Sequence, residues 1–145
     1  MQTFLPYADF RKSVKCLDNK RLGKQRVEAL QILKAIYIDD YGWKNHPCVK
    51  MWEEYPHALQ VYMNECIDEW IARGFKNTMA KSKPVRNILL LPLPHWLGNN
   101  KLHTSHQSNL LRKDYDYYSK YDWNIGNDME YYWCGYSKKE REANG

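Results

Sequence analysis

Residues 59–74, LQVYMNECIDEWIARG, decide the reading of the fold. Leu59, Tyr62, Met63, Cys66, Ile67, Trp70 and Ile71 recur at three- and four-residue steps, and a 3.6-residue helix gathers such positions on one face. The stripe predicts a helix with a core-forming face. Arg73-Gly74 ends it, since a cation suits the last carbonyls and glycine takes left-handed backbone freely. Upstream, Pro56 interrupts or restarts the helix, because an interior proline loses a hydrogen bond and clashes with the preceding turn. Pro47 suits the first turn of a shorter helix carrying Val49, Met51 and Trp52. Earlier still, Leu22, Val27, Ala29, Leu30, Leu33 and Ile36 repeat the helical period, with Asp18 as the expected N-cap and Gly42 just past the end.

Downstream, residues 84–98 (PVRNILLLPLPHWLG) are apolar but punctuated by prolines, which fits a packed irregular connector better than a central strand. A last helix is expected from about Thr104 to Tyr121, followed by an aromatic loop, Gly126 to Tyr136, that contains DMEYYWCGY. The reading is therefore all-α: a compact single-domain helical bundle over residues 1–136, with long loops and an aromatic C-terminal segment. Residues 137–145, SKKEREANG, read as a flexible tail.

The chain has 145 residues, enough for one domain with its own core. Its formal charge of +5 is modest but clustered: Arg11, Lys12, Lys15, Lys20, Arg21 and Lys24 stand against Asp18 alone. Such a cluster attracts polyanions. Six Trp and 12 Tyr against 3 Phe favour half-buried rings and flat stacking surfaces over deep core. The four cysteines, Cys16, Cys48, Cys66 and Cys134, lack CxxC spacing, so reduced thiols are expected rather than a disulfide frame or a zinc site. No signal-like segment and no 18-residue apolar run is present, so a cytoplasmic protein without membrane contact is expected, in a bacterial nucleoid or a virus-infected cell. No histidine pair has metal-binding spacing, and GxGxxG, P-loop and GxSxG motifs are lacking; neither metal nor cofactor is expected. A monomer is the default for this size.

Two constellations carry chemistry. Arg21, Lys24 or Gln25, and Glu28 lie in one row along the first long helix. The plain account of that row is a solvated face with weak ion pairs. Yet a lone carboxylate inside a phosphate-attracting surface repels DNA, so Glu28 calls for a chemical reason. The second is HTSHQSNLLRK, residues 103–113. His103, Ser105, His106, Gln107, Ser108 and Asn109 are expected to open the last helix, with Arg112 and Lys113 a turn later. A helix N-terminus with such side chains suits a phosphate, or is simply well capped. His46, in YGWKNHP, is a loop ligand, a base or a structural hydrogen-bonder. His57 and His95 read as structural.

Together these segments resemble the pyrimidine dimer DNA glycosylases. The resemblance rests on MQTFLPY, LDNKRLGKQRVEALQIL, NHPCVKMW, Arg73-Gly74-Phe75, SHQSNLLRK and Tyr131-Tyr132-Trp133-Cys134-Gly135, in order along most of the chain. Its nearest look is to a bacterial and viral branch of that family. The resemblance implies an all-α fold and a base-excision reaction on double-stranded DNA carrying a damaged pyrimidine. An amine attacks the sugar C1′, the base departs, and the resulting imine permits strand cleavage by β-elimination. It places a carboxylate at Glu28, although the spacing from Asp18 is one residue longer than is typical, a slip of about a third of a turn. An α-amine titrates near 7.7–8.0 and lysine near 10.4, so a chain terminus is the readier nucleophile. The typical enzyme exposes a threonine amine, whereas this chain offers Met1 or Gln2. Lys20 or Lys24 remain as amines, or Glu28 activates water. DNA contacts are expected from Lys20, Arg21, Lys24, Gln25, Arg26, His46, His103, His106, Gln107, Asn109, Arg112 and Lys113, with Tyr131, Tyr132 and Trp133 stacking at the opened site. Excision of another modified or deaminated base, a nucleic-acid-binding module without catalysis, and an adaptor protein are the alternatives.

Overall fold

The computed structural model describes residues 1–83 and 91–144 and is all-α. Seven helices follow in order among these residues: α1 (Phe10–Cys16), α2 (Asn19–Tyr37), α3 (Pro47–Trp52), α4 (Pro56–Ala72), α5 (Asn100–Lys113), α6 (Tyr115–Tyr118) and α7 (Lys138–Asn144). No strand occurs among the described residues.

The core forms where α2 packs on α4. Leu22, Ala29, Ile32 and Leu33 from α2 meet Leu59, Tyr62, Met63, Cys66 and Ile67 from α4, all buried. Both prolines start helices, α3 at Pro47 and α4 at Pro56, where a missing N–H costs nothing. Gly74 takes φ +90 just past α4, the left-handed end expected there. At the edge of the stripe the outcome differs. Val27 and Ile71 are 45% and 50% exposed, because the buried arc of each helix is narrower than its apolar residues. Its place on the buried face of α2 goes to Gln25, at 1% exposure.

Asp18 does sit at the N-cap of α2, but its side chain caps nothing. It accepts instead from the Tyr118 hydroxyl and from Arg21 Nη1 at 3.1 Å, so it ties α2 to α6. The last long helix also departs from expectation. Asn99 caps it by accepting from Leu102 N, so α5 begins at Asn100, and the chain breaks at Asp114 (φ −155, ψ 80). Asp114 then caps α6 through Tyr117 N, and a 3-10 turn over Ser119–Tyr121 follows. A residue able to cap a new helix resets the register that periodicity alone extends.

Of the expected connector, 84–90 lie outside the described residues. Residues 91–98 are irregular, with Trp96 buried edge-on against Trp52 at 4.9 Å and donating from Nε1 to Met51 O at 2.8 Å. Within the stretch read as a tail, Lys138–Asn144 form α7. Glu140 accepts from Trp133 N at 2.7 Å and Gly135 N at 2.8 Å, which joins α7 to the aromatic segment.

The feature that positions the site is the extended N-terminal strap, residues 2–6, which runs buried between α2, α4 and α5. Buried backbone groups need partners, and here side chains supply them. Phe4 N donates to Gln25 Oε1 at 2.9 Å and Leu5 N to His106 Nδ1 at 2.9 Å. Gln25 Nε2 donates to Gln2 O, Tyr62 OH to Phe4 O, and Gln107 Nε2 to Pro6 O, at 2.8, 2.9 and 2.8 Å. His103 Nε2 accepts from Gly98 N at 2.9 Å, so its Nδ1 carries the proton that bonds Leu5 O at 2.7 Å.

Burial, with His103 nearby, pushes the His106 imidazole from 6.5 down to about 3. Its native form is neutral across that window, while the unfolded chain binds a proton below pH 6.5. Its stability contribution is therefore present above pH 6.5 and is lost as pH falls toward 3. Urea titrations should show wild type losing about 3 kcal/mol at pH 4 relative to pH 7 from this group. A His106→Asn variant should have a flatter pH dependence in that interval. Equal slopes for the two proteins would remove His106 as the cause.

Candidate active site

The strap delivers the N-terminus to the polar row of α2. Gln2 N donates to Glu28 Oε2 at 3.1 Å, and Gln25 Nε2 donates to the same oxygen at 3.2 Å. Met1 therefore lies one peptide unit from that carboxylate. Around it opens a cleft of about 500 Å³. One wall is the strap, with Met1, Gln2 and Phe4; the floor is Glu28, beside Lys20, Arg21 and Lys24. The lining is completed by Lys113 at the end of α5, His46 at the start of α3, and Tyr131 and Trp133 from the aromatic segment, with Tyr131 beside Phe4 of the strap. Residues more than 100 positions apart thus converge on one carboxylate.

Each wall has a local cause. His46 caps α3, its Nδ1 accepting from Cys48 N at 3.1 Å, so a neutral imidazole carries its proton on Nε2. Its ring meets Trp133 edge-on at 5.5 Å. Burial, and next the N-terminal ammonium, hold its pKa below the usual histidine value. Burial lowers the Lys113 ammonium too, helped by Arg21, Lys24 and Arg112. Burial pushes the Tyr131 hydroxyl up to about 12, against the lowering effect of Arg112. The aromatic segment is anchored by the small polar residues of α5: Ser108 Oγ accepts from Met129 N at 2.9 Å and Ser105 Oγ from Tyr132 N at 3.2 Å.

Several expected contacts are corrected by this placement. Gln25, His103, His106 and Asn109 are buried and hydrogen-bond inside the fold, so they are not surface groups. Asn109 Nδ2 donates to Ser105 O and Met129 O at 2.8 and 3.0 Å. Because α5 starts at Asn100, residues 103–109 fill its middle, and the expected helix N-terminus for a phosphate is not there. Gln107 binds Pro6 O. Arg26 turns away from the cleft: its guanidinium lies 4.4 Å from the Trp70 ring centre and donates to Asn77 Oδ1 at 2.7 Å. Arg112 donates to Asn127 O at 3.0 Å and to Asn109 Oδ1. Tyr132 faces a separate hollow, with Lys101 4.6 Å over its ring. His57 and His95 have internal partners in Gln60 and Tyr55.

Phe4 and Tyr62 were missed. Tyr62 is fully buried and its hydroxyl also reaches Gln25 Oε1 at 2.6 Å, orienting the amide that holds the strap. An isolated apolar position and a stripe tyrosine carry no signal of that role. Among the described residues, no group of three or more His, Cys, Asp or Glu is placed to hold a metal ion, and no helix is long and apolar enough to cross a membrane. All four cysteines are free.

A family model described as pyrimidine dimer DNA glycosylase matches residues 1–83, which carry the strap, α1 to α4, and Glu28. The chain belongs to this family. It is a DNA glycosylase of the pyrimidine dimer type, and damaged DNA is its substrate. The matched residues stop before α5 and the aromatic segment, so Lys113, Tyr131 and Trp133 come to the glycosylase cleft from outside them. No curated protein and no solved structure matches the chain.

Proposed function

We propose that this glycosylase is bifunctional, with the Met1 α-amine as nucleophile, Glu28 as its acid–base partner and an imine leading to strand cleavage. The observation that carries the reading is the 3.1 Å contact between Gln2 N and Glu28 Oε2, held by a strap whose backbone is bonded residue by residue. A pinned terminus meets the geometric demand on a nucleophile, which must sit within reach of its base before any chemistry begins. Glu28 takes a proton from the amine and its charge faces the sugar as that becomes cationic.

Lys20, Arg21, Lys24 and Lys113 line the cleft and fit the phosphates on either side of a lesion, so binding weakens with salt. Tyr131 and Trp133 fit the place of an opened base, where aromatic faces offset the cost of unstacking. The protein acts on double-stranded DNA as a monomer in this reading.

The test is an end-labelled duplex with a single cyclobutane thymine dimer, incubated with enzyme and sodium borohydride. A nick at the dimer and a covalent complex whose DNA-bearing peptide contains Met1 are expected. An abasic site revealed only by later alkali, with no complex, would replace the amine with activated water.

A further inference from the structure

Gln2 carries a polar group that nothing in the fold uses. The residue is 8% exposed, and its Oε1 accepts from Thr3 N at 2.9 Å. That bond fixes which way the amide points, so the free end is Nε2. This nitrogen is buried and has no hydrogen-bond partner. Folded proteins seldom leave a buried donor unpaired, and where they do the reason is often a ligand. Gln2 lines the cleft with Glu28 and Tyr131, and its amide lies beside the Tyr131 hydroxyl, close enough to lower that hydroxyl's pKa but outside hydrogen-bond geometry. With its pKa near 12, that hydroxyl keeps its proton at neutral pH and is itself a donor. Two neutral donors thus meet on one wall of a cleft whose floor is an acceptor, Glu28.

We propose that Gln2 Nε2 and the Tyr131 hydroxyl form a subsite for the O2 carbonyl of the departing pyrimidine. The inference rests on the function proposed above and names how its leaving group is held. As the C1′–N1 bond breaks, its electron pair leaves on N1 while the amine nitrogen bonds to C1′. A proton released by the amine and carried by Glu28 then neutralises N1. In a dimerised pyrimidine the C5–C6 bond is saturated, so charge on N1 is shared with the C2 carbonyl in the manner of a urea anion. Donors at O2 therefore bind the transition state more strongly than the ground state. The subsite also sets specificity. Thymine, uracil and cytosine rings all present O2 beside the glycosidic nitrogen, whatever stands at C4, and a purine presents no carbonyl there.

The test uses Gln2→Met, which keeps length and loses the amide, and Tyr131→Phe, which keeps the ring. Single-turnover excision from the dimer duplex is compared with affinity for a duplex carrying a tetrahydrofuran abasic analogue, which has no base to hold. Each variant should excise about 30-fold more slowly, the effect of one strong hydrogen bond, with unchanged affinity for the abasic analogue. Excision at the wild-type rate in both variants overturns the subsite. So does a parallel fall in abasic affinity in both, which would mark a displaced strap. If Gln2→Met fails to fold, Tyr131→Phe decides alone. A wild type that excises no dimer overturns the function beneath the subsite, and is told apart by that control.

Discussion

Replacing Glu28 by Gln is expected to slow excision of a pyrimidine dimer by about a thousandfold in a single-turnover assay. The substitution is nearly isosteric. Gln2 N and Gln25 Nε2 donate to one carboxylate oxygen, and a glutamine Oε1 at that place accepts both. The strap therefore stays, and unfolding in urea should shift little. What goes is the charge facing the sugar and the site that takes the amine proton, so the loss falls on kcat while affinity for the dimer duplex holds. DNA should even bind slightly better, because the carboxylate repels phosphate at short range. Excision at an undiminished rate would remove Glu28 from the chemistry. A fall in stability to match the loss of activity would make it a structural acceptor for the strap.

The helices were readable because their signals are local. The stripe on α4, the prolines opening α3 and α4, and Gly74 each act within a turn or two of chain. The α2 start at Asp18 was read correctly, but the bonding of its side chain and the two ends of α5 were not. Asp18 has the chemistry of an N-cap, and Tyr118, 100 residues on, takes that chemistry for itself. Asn99 and Asp114 reset the ends of α5 against an unbroken polar pattern. The site divides the same way. Glu28 was visible as one acid among cations, and Arg21, Lys24 and Lys113 as those cations. By contrast Gln25, His103, His106 and Asn109 look from sequence like groups meant for DNA. A polar side chain that satisfies a buried strap and one that grips a phosphate have the same composition. Only the strap's path, fixed by contacts 21 to 101 residues apart, tells them apart.

Blocking the terminal amine is expected to abolish the borohydride-trapped complex and to cut strand scission about a hundredfold. The figure follows from amine chemistry: near pH 7 a tenth or so of an α-amine population is neutral, against fewer than one lysine in a thousand. Any lysine that replaced the terminus would begin from that deficit. Nα-acetylation is the cleaner block, because it adds few atoms to a cleft of about 500 Å³ and leaves every strap hydrogen bond from Gln2 to Pro6 untouched. A Gly-Ser extension before Met1 is the second, since it supplies a new amine but carries it off the pinned position. Both proteins should still bind the dimer duplex, and residual trapping in the acetylated protein should map to Lys113. Lys113 lines the cleft, and burial with three neighbouring cations lowers its pKa. Undiminished scission after acetylation would make the strap a scaffold for Glu28 alone. Attack would then come from a lysine, and the borohydride-trapped peptide would contain that lysine in place of Met1.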